Sequence, residues 1–354
     1  MAAAINNVLL VRTDRLGDVI LSTPVATALK KHFPGCRVTF LARRETRPIL
    51  ECHPHIDEVI TADVPEFAGA RGFFRLVALL RKKSFDAIIL LHPSFALACL
   101  AFLARIPQRL GTGYRFYSAF FTHRVFDHRK TAQFHEAEYN LRLLKAIGIE
   151  NAHVEFHYFL SQNDRRSSIA KLAELGIKVD GRPIILHVGS GGSARDWPLE
   201  NFAALADALD VEEHRQVVFT GGPGEVDLVA SVINKTRAKP LNLAGRLTIE
   251  DLMVLLERAA VFVSNSTGPL HLAVMVGAPV GAFYPPILVC RPERWGPYGR
   301  RADVLMSQQE ECFRCRKTAE KQCACMAAIT VQQALEKIHE KIGAPQPAPA
   351  LQHE

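Results

Sequence analysis

Asn7-Val8-Leu9-Leu10-Val11-Arg12-Thr13-Asp14-Arg15-Leu16-Gly17-Asp18 is the stretch that decides the fold. A short β-rich run, Asn7–Val11, enters a polar turn. From Asp18 to Lys31 the apolar residues Val19, Leu21, Val25, Ala28 and Leu29 then recur at helical spacing. Reading outward, the alternation continues. Arg37–Ala42 reads as a second strand, Gly72–Lys83 as a helix, Asp86–Leu91 as a third strand, and His135–Ile147 as a helix stopped by Gly148. A polar stretch within residues 150–180 reads as a link. Beyond it Ile184–Val188, Gln216–Thr220 and Val261–Ser264 read as strands, with helices at Pro198–Leu209, Glu225–Asn234, Thr248–Ala259 and Gly268–Val276. Strands that alternate with helices are parallel and joined by crossovers, which predicts an α/β protein of two doubly wound units. The first is expected over residues 1–165 and the second over 175–330, with a Pro- and Ala-rich disordered tail at 343–354.

The chain has 354 residues, 48% of them hydrophobic and 22% charged, a globular composition that excludes a disordered or fibrous protein. Its net charge of +7 is unevenly placed. Lys and Arg outnumber Asp and Glu 21 to 14 in residues 1–160 and balance them 22 to 22 afterwards, so the first half is expected to meet an anionic partner. Nucleic acid is excluded as that partner, because aromatics are not interleaved with the basic residues and no reading motif appears. No secretory signal is visible at the N-terminus, and the eight cysteines are mostly scattered, which together predict a cytoplasmic protein with reduced thiols. The longest apolar stretch, Ala87–Ala104, is broken by His92-Pro93-Ser94 and reads as a buried strand followed by an apolar helix, not a membrane span.

Five segments could carry chemistry. In the opening stretch, Gly17 permits a tight turn or close approach to a ligand, and Asp18 either caps the helix or acts as a general base. Arg12 and Arg15 beside it are candidates to hold an anionic group. The loop Gly189-Ser190-Gly191-Gly192-Ser193-Ala194-Arg195-Asp196-Trp197-Pro198 offers backbone N–H groups and a cation to a phosphate, but lacks the Gly-Lys-Ser/Thr ending of a P-loop. Ser264-Asn265-Ser266-Thr267-Gly268-Pro269-Leu270-His271 ends a strand and starts a helix, whose N-terminus favours an anion near Ser266, Thr267, Gly268 and His271. Thr220-Gly221-Gly222-Pro223-Gly224-Glu225 is a third such turn, in which Glu225 could accept from ribose hydroxyls. Three loops of this kind should converge on one edge of a sheet and hold a nucleotide diphosphate. Finally, Cys312, Cys315, Cys323 and Cys325 are four thiols in fourteen residues, read as structural cysteines, a zinc or iron–sulfur site, or a disulfide.

The order of these motifs resembles glycosyltransferase family 9, the bacterial ADP-heptose:lipopolysaccharide heptosyltransferases. Arg-x-Asp-Arg-Leu-Gly-Asp at Arg12–Asp18, Arg195-Asp-Trp-Pro, and Ser264–Ala273 followed by Gly277-Ala-Pro-Val carry the likeness, which spans about residues 7–342. The resemblance implies a GT-B architecture of two Rossmann-like domains facing across a cleft, the first binding the acceptor and the second a nucleotide sugar. It implies that the helix over 331–342 crosses back onto the first domain. It also implies inverting transfer, ADP-heptose first among donors, an anionic lipopolysaccharide core as acceptor, no cofactor for the chemistry, and a peripheral place at the cytoplasmic face of the inner membrane. Asp18 matches the catalytic base, and Ser190, Gly191, Arg195, Glu225, Thr267, Gly268 and His271 fall in the donor-binding segments. Two positions depart from the pattern: Arg195 stands where Lys is usual, and Ser266 where heptosyltransferases typically carry Asp, which leaves the sugar open. A nucleotide-sugar epimerase and a non-catalytic sugar- or nucleotide-binding paralogue would share the architecture.

Overall fold

A computed structural model describes residues 5–213, 215–308 and 323–343. The chain divides into two units, one built from residues through Arg129 with Glu136–Phe159, the other from Lys130–His135 and residues from Leu160 onward.

The first unit holds a six-stranded parallel sheet of β1 (Asn7–Val11), β2 (Arg37–Ala42), β3 (Glu58–Thr61), β4 (Ala87–Leu90), β5 (Gln108–Thr112) and β6 (His123–Val125). Its order is β3-β2-β1-β4-β5-β6, so the winding reverses between β1 and β4. The second unit repeats that plan with β7 (Ile184–His187), β8 (Val217–Thr220), β9 (Leu241–Asn242), β10 (Val261–Asn265), β11 (Val280–Tyr284) and β12 (Val304–Met306), in the order β12-β11-β10-β7-β8-β9. Here the reversal lies between β7 and β10, and all its pairings are again parallel. The central strands are buried apolar runs, as a parallel sheet covered on both faces requires. In doubly wound sheets ligands collect beyond the carboxyl ends of strands at such a reversal, so each unit presents one such edge.

Local chemistry departs from the simple periodic reading in two places. The helix expected to run on from Asp18 is two helices, Leu16–Ile20 and Pro24–His32. Pro24 has no N–H and clashes with the preceding turn, while Ser22 and Thr23 turn their hydroxyls onto the carbonyls of Asp18 and Ile20, at 2.7 and 2.9 Å. Within the stretch read as a link lies a helix, Gln162–Glu174, which belongs to the second unit. It lies against the helix Ile249–Glu257, with Lys171 paired to Asp251 and Arg165 to Glu257. Last, the final helix, Val331–Gly343, lays an apolar face on the core of its own unit. Ala334, Leu335 and Ile338 join the core of the second unit, against the helix Leu199–Glu212 and strands β10 and β11. Apolar residues at this spacing form a stripe that needs cover, and the second sheet supplies it.

In the first unit the helix Phe95–Leu103 packs its Ala98, Leu100 and Ala101 face into the core beside β1 and β4. No helix among the described residues is long and apolar enough to cross a membrane. The tail beyond Gly343, with Cys312 and Cys315, lies outside the described residues.

Candidate active site

In the first unit, the loop leaving β1 at the sheet reversal carries Arg12, Asp14, Arg15, Gly17 and Asp18. Asp18 sits in the first turn of Leu16–Ile20 but caps nothing. Its Oδ1 instead accepts from the guanidinium of Arg12. Arg12 is buried, and its other nitrogens meet Asp14 at 2.8 Å and Glu136 at 3.2 Å. Arg12, expected to meet an anionic acceptor, is here paired with three carboxylates of its own unit, Asp18 among them. Arg15 is exposed and stays available to an incoming anion. Across the reversal, His92, just past β4, contacts Asp14 at 2.9 Å.

Burial is the largest influence on Asp18 and lifts its carboxyl above the ordinary aspartate value; Arg12 opposes this, but Asp14 and Glu136 add to it. Asp14 moves the other way. Burial resists, yet the bond to His92 and the charge of Arg12 hold its carboxyl below the usual range. The two neighbouring carboxylates are thus shifted in opposite directions.

A polar chain fixes this corner from behind. Glu136, buried at the head of the helix Glu136–Arg142, accepts from Arg12 and, at 2.5 Å, from Arg129. One turn later the buried Asn140 donates to Leu21 O and Ser22 Oγ, both at 3.1 Å, and Ser22 Oγ donates to Asp18 O. Asp18 is thus gripped at side chain and backbone by a helix more than a hundred residues away in sequence. Neither Glu136 nor Asn140 stood out in the sequence. The signal was two polar residues four apart on a helix face that is otherwise apolar.

In the second unit, the sheet order β10-β7-β8 makes the three expected loops neighbours. They also touch. Asn265, at the end of β10, accepts from Trp197 N at 2.8 Å and donates to Val188 O at 2.7 Å, tying the β10 and β7 loops together. Trp197 is fully buried, stacks on Phe283 with ring centres 4.2 Å apart, and donates Nε1–H to Ile329 O at 2.8 Å. On the other side, the Glu225 carboxylate lies directly against the Gly189 backbone, its Oε1 1.7 Å from where a Cβ would stand. Glu225 Oε2 also accepts from Gly222 N at 2.8 Å.

Between these anchors the backbone turns at Gly191 and Gly192, whose φ angles of +55° and +78° suit residues without a side chain. Ser190 Oγ is buried without a hydrogen-bond partner among the described residues. Arg195 is half-buried at the far end of the loop and close enough to Cys290 to oppose the rise that burial imposes on that thiol. Thr267 precedes the helix Gly268–Met275, and both Ser266 and Thr267 are nearly buried. His271, expected to reach a ligand, is buried as well. Desolvation, then the neighbouring His135, pushes its pKa down to about 3, so it is a neutral imidazole inside the fold.

Among the described residues, no group of three or more His, Cys, Asp or Glu is arranged to hold a metal. Cys323 packs at the margin of the second unit's core and Cys325 is buried, while their expected partners Cys312 and Cys315 lie outside the described residues.

Residues 73–325 match the sequence profile of glycosyltransferase family 9 (heptosyltransferase). The chain belongs to glycosyltransferase family 9. The enzyme is 26% identical over 347 residues to lipopolysaccharide heptosyltransferase 2 of Salmonella typhimurium, covering 94% of this chain and 97% of that one. It is also 26% identical over 271 residues to lipopolysaccharide heptosyltransferase 3 of Escherichia coli, covering 75% and 79% of the two chains. In structure it resembles the E. coli ADP-heptose lipopolysaccharide heptosyltransferase II, with a TM-score of 0.78, 21% identity and coverage of 95% and 98%. The two six-stranded sheets of the enzyme are thus those of a GT-B glycosyltransferase.

Proposed function

We propose that the enzyme transfers a heptosyl group from ADP-heptose to the lipopolysaccharide inner core, with inversion at the anomeric carbon, at the cytoplasmic face of the inner membrane. The observation that carries this reading is the Asp18 carboxylate, held at a sheet reversal by Arg12 and raised in pKa by burial, in a chain of family 9. The two relatives at 26% identity, both lipopolysaccharide heptosyltransferases, supply the substrate class.

On this reading the second unit holds the donor. The N–H groups at Gly191 and Gly192, the unpartnered Ser190 hydroxyl, Ser266, Thr267 and the start of the Gly268 helix receive the diphosphate, and Arg195 neutralises it. Glu225 accepts from the ribose hydroxyls. The first unit holds the acceptor: Arg15 attracts its anionic groups, and Gly17 lets its hydroxyl approach the backbone. Arg12 occupies one oxygen of Asp18, and the other takes the acceptor proton as the acceptor oxygen bonds to the anomeric carbon. The bond from that carbon to the diphosphate breaks in the same displacement, and ADP departs with the electron pair. The positive charge stabilising the leaving diphosphate comes from Arg195 and the helix N-terminus, and the step uses no cofactor.

The test is Asp18→Asn, assayed with ADP-heptose and a heptose-deficient core acceptor. Transfer should fall by about 10²–10⁴-fold, the usual worth of a general base, with ADP affinity by calorimetry unchanged. Turnover equal to the parent enzyme would refute the assigned base. A preference for an ADP-hexose in the same assay would reassign the sugar.

A further inference from the structure

Between Ala87 and Phe126 the sequence contains no Asp or Glu, while it contains four arginines and eight Phe or Tyr residues. The fold turns much of this segment outward. The helix Phe95–Leu103 has no polar residue, and its outer face carries Phe95 and Phe102, 52% and 49% exposed. Against it lies the short 3-10 segment Phe116–Phe120, with Phe95 and Phe116 ring centres 5.6 Å apart and Phe102 and Phe120 5.1 Å apart. Phe116 projects from this cluster at 80% exposure. Arg105 and Arg115, both exposed, flank the rings, and the Arg109 guanidinium lies over Phe102 at 5.7 Å. Contiguous exposed aromatics on a folded surface mark a place where something binds.

We infer that this aromatic and arginine face of the first unit docks on an anionic lipid bilayer. Three observations choose that occupant. The patch carries one sign of charge, so a second copy of the chain would repel it across a symmetric contact. Its most exposed ring, Phe116, can enter a fluid interface without a preformed pocket, and aromatic residues with nearby arginines suit the headgroup region. The charge complements acidic headgroups. Position adds a use. Phe95 follows β4 and Phe116 follows β5, so both stand at the carboxyl edge of the sheet where β1 places Asp18. A lipid-borne acceptor would be met on the side that carries the base. The inference does not depend on which sugar is moved.

Vesicle flotation tests it, using phosphatidylethanolamine vesicles containing phosphatidylglycerol and, separately, phosphatidylcholine vesicles. The parent enzyme should float with the anionic vesicles, less so as salt rises, and stay below with the neutral ones. The double variant F95S/F116S and the charge reversal R105E/R115E should each lose at least tenfold in bound fraction on anionic vesicles. Both should keep the parent melting temperature and the parent turnover on a deacylated, water-soluble acceptor. Variants that float as well as the parent, or a parent that never floats, would overturn the inference. So would loss confined to self-association in native mass measurements, which would make the face a protein contact. Failure of the transfer reading would appear separately, as no turnover of the soluble acceptor by the parent enzyme.

Discussion

Asp18 owes its chemistry to its company. An isolated aspartate ionises near 3.8, and this one is raised by burial and by two neighbouring carboxylates. Only the ionised form accepts a proton, so transfer should fall as pH drops through the Asp18 pKa, and that limb should lie above the ordinary carboxylate value. Glu136→Gln removes one of the negative neighbours. The acidic limb of kcat should then move to lower pH, read from a full pH–rate profile. The same change deprives buried Arg12 of a partner, so kcat at the optimum should fall by about 10- to 100-fold through misplacement of Asp18, with KM for the donor unchanged. If Glu136 served only to stabilise the fold, the limb would stay where it is in the parent enzyme.

At the level of elements, the loops proposed to hold the donor are joined by a bracket. The Asn265 side chain bonds both to Val188 at the end of β7 and to Trp197, which leads into the next helix. Asn265→Ala leaves the buried Trp197 N–H and Val188 carbonyl unsatisfied and should cost about 1–3 kcal/mol in urea unfolding. Trp197→Ala empties a larger space beside Phe283 and should cost about 3–5 kcal/mol. Both should weaken ADP binding in calorimetry, since the Ser190–Arg195 turn is anchored at its far end by Trp197. Unaltered ADP affinity in a folded Asn265→Ala variant would show that the loop keeps its shape without the bracket.

For the molecule as a whole, the proposed function gives two units of the same winding different work. A ligand that binds only the folded second unit raises its stability by mass action. Saturating ADP should therefore slow amide exchange in residues 188–198 and 264–272, measured by mass spectrometry, and leave residues 12–22 at their ligand-free rate. Protection confined to the first unit would reverse the assignment of donor and acceptor.

How much of this was legible before folding follows from the range of the forces involved. Hydrophobic periodicity is local, so the central strands Asn7–Val11 and Arg37–Ala42, the alternation with helices, and the loops carrying Asp18, Ser190 and Thr267 could be read along the chain. Short edge strands such as β3 and β9 have little apolar pattern and were invisible. The same is true of every effect that needs distant residues to meet. The burial of Arg12 by Glu136, the grip of Asn140 on Ser22, the joining of two loops by Asn265 and the neutrality of His271 are products of desolvation and pairing across the fold. The last helix shows the distinction most plainly. Its apolar stripe was written in Ala334, Leu335 and Ile338, but which surface covers that stripe was decided only when the second sheet offered one.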